Sequence, residues 1–141
     1  MDQSLKISLW LRGVFLSLLI MVCLGGITRL TGSGLSIVEW RPVTGIVPPL
    51  SAAAWDLEFA KYQNSPEFKL KNFHMQIQDF KKIFFWEYLH RLWGRLLGFF
   101  IILPALFFWR GENFSNWLKR RLLLILSLSL LQGFMGWYMV K

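Results

Sequence analysis

The stretch "EYLHRLWGR", residues 87–95, places Glu87, His90, Arg91 and Arg95 inside one of the most apolar parts of the chain, with "KKIFFW" before it and "LLGFFIILPALFFW" after it. A charged side chain at mid-bilayer costs on the order of 2.5–3.5 kcal/mol on insertion scales, so such residues persist where they face a bundle interior or a cavity. On a helix, Glu87, His90, Arg91, Gly94, Arg95 and Gly98 are spaced by three and four and share one broad face. Leu89, Leu92, Leu96, Phe99 and Phe100 take the opposite face, suited to lipid or apolar packing. Gly94 and Gly98 form a G-x-x-x-G on the polar side, where another helix or a flat ligand can approach the backbone closely.

His90 is the natural ligand of the set, because a neutral imidazole nitrogen binds haem iron and helical bundles hold cofactors with inward side chains. Arg91 and Arg95 could pair with haem propionates, since guanidinium matches carboxylate in a bidentate way. Glu87, one turn before His90, could accept a proton or orient a water near the cofactor. Plainer readings stand beside these. His90 could be a hydrogen-bonded packing residue, Glu87 and Arg91 at i, i+4 could neutralise each other, and Arg95 could snorkel or pair with a neighbouring helix. His74 falls in the outer loop and reads as a solvated or locally bonded histidine, not a ligand.

The elements that must position these residues follow from composition. The chain has 141 residues, 55% of them hydrophobic and gathered in long blocks, with a mean hydropathy of +0.42. That pattern gives an all-α, polytopic membrane helical bundle forming one membrane domain. Three transmembrane helices are expected at about 10–30, 83–109 and 122–140. The first has no small-x-small cleavage site and reads as a retained span, not a secretory signal. Trp86, Trp109 and Trp137 fall at span ends, where interfacial belts place tryptophan. The net charge of +8 belongs to loops; its cations are not interleaved with exposed aromatics in a soluble module, so nucleic acid is not an expected partner. The single Cys23 excludes an intrachain disulfide and reads as a small apolar filler.

Arg110, Lys119, Arg120 and Arg121 crowd the connection at about 110–121 and mark it as cytoplasmic, which puts the N-terminus, with Lys6 and Arg12, on the same side. The connection at about 31–82 then faces outward. Gly32, Gly34, Gly45 and Pro48-Pro49 punctuate it with turns, while Val38, Trp40, Val43, Ile46 and Val47 are too apolar for a solvated linker. It reads as a structured loop on the membrane face. "SAAAWDLEFAKYQ" predicts a short helix capped by Ser51, and "SPEFKLKNFHMQIQDFKKIFFW" predicts an amphipathic interfacial helix leading into the second span.

Several of these stretches together resemble the haem A synthase family. "GGITRLTGSGLSIVEWRPVTGIVPPL" is similar to that family's first-span end and outer loop. "AAWDLEFAKYQNSPEFKLKNFHMQIQDFKKIFFWEYLHRLWGRLLG" is similar to its continuation into the second helix, with the Glu-x-x-His-Arg element at Glu87, His90 and Arg91. "QGFMGWYMVK" is similar to its third-span end. The resemblance implies an oxidoreductase that converts the methyl group of haem O to the formyl group of haem A by successive hydroxylations, for cytochrome oxidase. It implies His90 as a haem-iron ligand and Glu87 as an essential acid. The loop lacks a cysteine pair, as in the cysteine-free branch of the family.

The family has eight spans in two related halves with paired histidines, and holds haem b in its second half. Three spans and one span histidine therefore imply an incomplete N-terminal part, expected to be inactive by itself. The missing helices would come from another chain or a homo-oligomer. Further implied partners are membrane lipid, haem O synthase and cytochrome oxidase subunits. "MDQSLKISLW" lacks an Arg- and Ser-rich presequence, which points to the bacterial inner membrane. The competing functions are a haem-binding, cytochrome b-like membrane subunit and a non-catalytic oxidase assembly protein.

Overall fold

A computed structural model describes residues 3–41, 43–111 and 114–140. The loops expected at about 31–82 and 110–121 are thus described in part, with Pro42, Glu112 and Asn113 outside the described residues, as are Met1, Asp2 and Lys141. Four α-helices follow one another: α1 (Gln3–Leu30), α2 (Ala52–Gln63), α3 (Ile77–Phe108) and α4 (Asn116–Val140). Among the described residues there is no strand. α1, α3 and α4 are long and apolar enough to cross a membrane, and the protein is a multi-pass, all-helical membrane protein.

The helices outrun the apolar stretches. α3 has 32 residues, about 48 Å at 1.5 Å per residue, against about 30 Å of hydrocarbon. Local hydrogen bonds, not apolarity, mark where α3 and α4 begin. Asp79 N and Phe80 N both donate to Gln76 O at 3.0 Å to open α3. Ser115 Oγ accepts from Leu118 N at 3.3 Å to open α4.

The chain packs as two compact units, one of residues 1–20 and 95–139, the other of residues 21–94. In the first, Ile7, Trp10 and Val14 of α1 pack with Ile101, Ala105 and Phe108 of α3, and with Phe114 and Leu122. The Trp10 ring lies 6.0 Å from Phe108 and stacks at 6.3 Å on Phe114. Pro104 interrupts the α3 hydrogen-bond ladder, because a proline has no N–H to give the carbonyl four residues earlier. That carbonyl is Phe100 O, and Trp10 Nε1 donates to it at 2.9 Å. The indole therefore replaces the amide that the proline removes.

In the second unit the loop is folded, not draped. Ser51 Oγ caps α2 by accepting from Ala54 N at 3.2 Å. Tyr62 and Phe80 are fully buried and stack at 5.1 Å, with Phe59 5.2 Å from Phe80 and Trp55 5.0 Å from Phe84. This aromatic cluster corrects one expectation. The stretch 65–82 is not one amphipathic helix. It forms a π-helical turn over Phe68–Asn72, breaks, and restarts as α3 at Ile77. The break lets Phe68 and Phe80 both reach the α2 aromatics, and Asn72 Nδ2 fixes it by donating to Tyr62 Oη at 2.7 Å.

Candidate functional site: a loop clamped onto the third helix

The second unit brings Glu87, His90 and Arg91 together. Their setting starts where α1 ends. Gly32 adopts φ +64°, a left-handed conformation that glycine takes without strain. Ser33 N then donates to Thr28 O at 2.9 Å and Gly32 N to Arg29 O at 3.2 Å, the pair of bonds that closes a helix in a Schellman motif. The reversal sends residues 33–41 and 43–46 toward α3. Ser33 and Ser36 become buried, which apolar surroundings permit only with partners in hand.

Ser36 finds its partner in Glu87, which is 3% exposed. Glu87 Oε2 accepts from Ser36 Oγ at 2.7 Å and from Ile37 N at 2.8 Å. Glu87 Oε1 accepts from Arg91 Nη2 at 2.5 Å. Arg91 also donates to the loop, from Nη2 to Ile37 O at 2.9 Å and from Nη1 to Glu39 O at 3.3 Å, and its guanidinium lies 5.7 Å from the Trp40 ring centre. The backbone of Ile37 is thereby held on both sides, its N–H by the carboxylate and its carbonyl by the guanidinium. Tyr88 Oη adds a third fastening, donating to Ile46 O at 2.7 Å. A buried carboxylate is tolerable here because a cation and two further donors meet it.

His90 sits one turn further along α3, half-buried. Its ring makes no hydrogen bond among the described residues, unlike Glu87 and Arg91. Nε2 lies 3.3 Å from where a Cβ on Gly25 would stand, so the absent side chain makes room for the imidazole against α1. Nearby, a Cβ on Gly94 would stand 3.3 Å from Met21 Cε, and Thr28 Oγ1 donates to Leu24 O at 2.8 Å.

Arg95 falls in the other unit, half-buried. Gly98 has open space where a side chain would be, so only Gly94 of the G-x-x-x-G pair marks a close contact. His74 is exposed, edge-on to the Phe73 ring at 5.5 Å.

Among the described residues no three of His, Cys, Asp and Glu gather to hold a bare metal ion. A haem differs in what it asks of a protein, since the porphyrin supplies four nitrogens and the chain need supply only an axial ligand. One imidazole with an uncommitted ring nitrogen, beside a glycine, fits that requirement.

Outside the spans, Glu39 ties the loop to α2. It pairs with Arg41 and with Lys61 Nζ at 3.2 Å, and Lys61 also holds Glu58 at 2.8 Å. Partial burial works to raise the Glu39 carboxyl, but the hydrogen bonds and charges of Lys61 and Arg41 outweigh it and hold it below 4.5. The Glu58 hydrogen bond, together with Glu39, raises the Lys61 ammonium above its ordinary value.

Sequence reasoning missed Ser36, the Ile37 peptide, Tyr88 and Gly25. The available signals were small polar residues in an apolar loop, "TGSGLS", and the glycine pair Gly25-Gly26 inside a span.

Residues 8–141 match the model of the COX15-CtaA family, described as cytochrome oxidase assembly protein. The chain is 56% identical over 134 residues to the heme A synthase of Orientia tsutsugamushi (strain Boryong), covering 95% of this chain and 37% of that protein. It is 50% identical over 141 residues to heme A synthase COX15 of Saccharomyces cerevisiae, covering 100% of this chain and 29% of that protein. It is 51% identical over 133 residues to a heme A synthase of Rhizobium etli, covering 94% of this chain and 36% of that protein. The chain thus spans about a third of the length of the curated relatives it matches, 29–37% in these three. No solved structure matches it.

Proposed function

The chain belongs to the COX15-CtaA family of cytochrome oxidase assembly proteins, and on that premise we propose that it is the haem O-binding part of a heme A synthase. The observation that carries the reading is His90, a half-buried imidazole without a hydrogen bond among the described residues, one turn from a buried carboxylate. His90 is the residue assigned to the iron of haem O. The reaction that the complete protein serves is oxidation of a haem methyl group to a formyl group.

Glu87 is the acidic residue of this reading. Its Oε2 is taken by Ser36 and Ile37 N. Oε1 accepts a single bond from Arg91, and a carboxylate oxygen offers two acceptor sites. Glu87 can therefore orient a water or a donor through Oε1 without releasing the loop. Arg91 is assigned a positioning role, since its guanidinium serves Glu87 and two loop carbonyls. Arg95 is left as the guanidinium for a propionate, on charge and fork geometry alone. The bacterial inner membrane, with the N-terminus cytoplasmic, is the proposed location, on the bacterial relatives and the cations at 110–121.

The test is a reduced-minus-oxidised spectrum with haem extraction, on the chain purified from a host that makes haem O, beside a His90→Ala variant. Haem O retained by the native chain and lost in the variant supports the reading. Haem retained equally by both refutes the ligand assignment. Haem b retained in place of haem O would favour a cytochrome b-like subunit.

A further inference from the structure

We propose that the cations flanking the α3–α4 connection, Arg110 after α3 and Lys119, Arg120 and Arg121 in the first turns of α4, form a binding collar for the phosphate headgroups of anionic phospholipid. Four cations, Arg110, Lys119, Arg120 and Arg121, stand in residues 109–121 against one acid, Glu112. Arg110, Arg120 and Arg121 are exposed. Lys6, also exposed, is next to Ile7, which packs into the same core as Phe114 and Leu122.

Two features make this more than a basic stretch. The first is that the cations are uncompensated. Among the described residues no ion pair involves a collar cation. The second is that two of the cations are pinned. Lys119 Nζ lies 5.6 Å from the Trp109 ring centre, and the Arg121 guanidinium 5.2 Å from that of Trp117.

Gly111 N donates to Phe108 O at 2.9 Å and Phe114 N to Gly111 O at 3.0 Å, with Phe114 buried against Trp10. Tryptophan settles at headgroup depth in a bilayer. A cation held over a tryptophan face is therefore already at the level of lipid phosphate, and the side-chain ordering that binding would require is largely done. Trp117 is 65% exposed, and Leu123 and Leu124 beside the collar are exposed too, which gives an acyl chain a surface to follow from the same headgroup. An acidic protein surface would satisfy the charges but would have no use for that apolar continuation.

The test is native mass spectrometry of the 141-residue chain released from bilayers of equal phosphatidylglycerol and phosphatidylcholine. A retained cation–headgroup contact corresponds to about five-fold preference, so bound phosphatidylglycerol should exceed bound phosphatidylcholine about five-fold. The variant Lys119→Gln, Arg120→Gln, Arg121→Gln should bring the ratio near parity. Lys119→Arg with Arg120→Lys and Arg121→Lys should keep the preference, which separates charge from folding. Removing as many charges elsewhere, by Lys69→Gln, Lys71→Gln and Lys82→Gln, should also leave it intact. Parity in the native chain would overturn the proposal and leave the collar to an acidic protein surface. Equal loss in both Gln variants would overturn it in favour of bulk charge attraction.

Discussion

Replacing Arg91 by methionine tests whether this arginine serves the loop or a ligand. The substitution keeps length and apolar volume and removes the guanidinium. Glu87, 3% exposed, would keep Ser36 Oγ and Ile37 N but lose its cation partner, Arg91. Ile37 O and Glu39 O would each lose a donor. Breaking a buried pair by removing one partner costs about 3–5 kcal/mol. Arg91 is 13% exposed, so water screens the remaining charge little, and the cost should fall within that range. The double variant Glu87→Leu, Arg91→Met removes both charges. It should cost less than the sum of the single changes, by about 0.5–3 kcal/mol. Unfolding in mixed micelles reads the total, and hydrogen exchange at the Ile37 amide reads the loop directly. Loss of Ile37 protection in Arg91→Met, with stability falling in step, is the expected result. If Arg91→Met left stability and Ile37 protection intact while abolishing haem retention, the positioning role would be wrong and a propionate contact would take its place.

Trp10→Phe keeps an aromatic ring but strands Phe100 O; about 1–3 kcal/mol of stability should be lost, and Pro104→Ala, which restores an amide N–H to that carbonyl, should make Trp10→Phe much milder. An equal cost in both backgrounds, measured by the same micelle titration, would show that the indole hydrogen bond is not the cause. Gly25→Val should displace the His90 ring, whose Nε2 lies 3.3 Å from the new Cβ, and lower haem retention, whereas Gly26→Ala, with nothing within 4 Å, should leave it unchanged. Because the Glu39 carboxyl is held below 4.5, the stability it lends is complete above that value and is lost as pH falls through its lowered one. Hydrogen exchange in α2 should accelerate on that descent, and Glu39→Gln should remove the pH dependence.

What could be read from sequence was what is local. Three apolar stretches announced three membrane helices, and Ser51 announced the cap of α2. The i, i+4 relation of Glu87 and Arg91 predicted their pairing, which the plainer reading already contained. What could not be read was the loop's share of the site. Ser36 and Ile37 meet Glu87 across 51 and 50 residues, and Tyr88 meets Ile46 across 42, and no periodicity reports contacts at such separations. The break at 73–76 was hidden for a related reason. The helical spacing of 65–82 is real, but the α2 aromatics compete for both ends of it. Pro104 is visible in sequence, yet its consequence depends on Trp10, ninety-four positions earlier.

The pairing of Glu87 with Arg91 within one helix turn bears on how the protein is made. The loop that finally embraces both residues is synthesised first and has nothing to grip until α3 exists. When α3 enters the bilayer it brings an acid and its counter-ion together, one turn apart, so the pair can cross the apolar threshold as a near-neutral unit. Biogenesis thus does not require the loop to be seated during insertion; the loop can dock afterwards, onto a charge pair already in place.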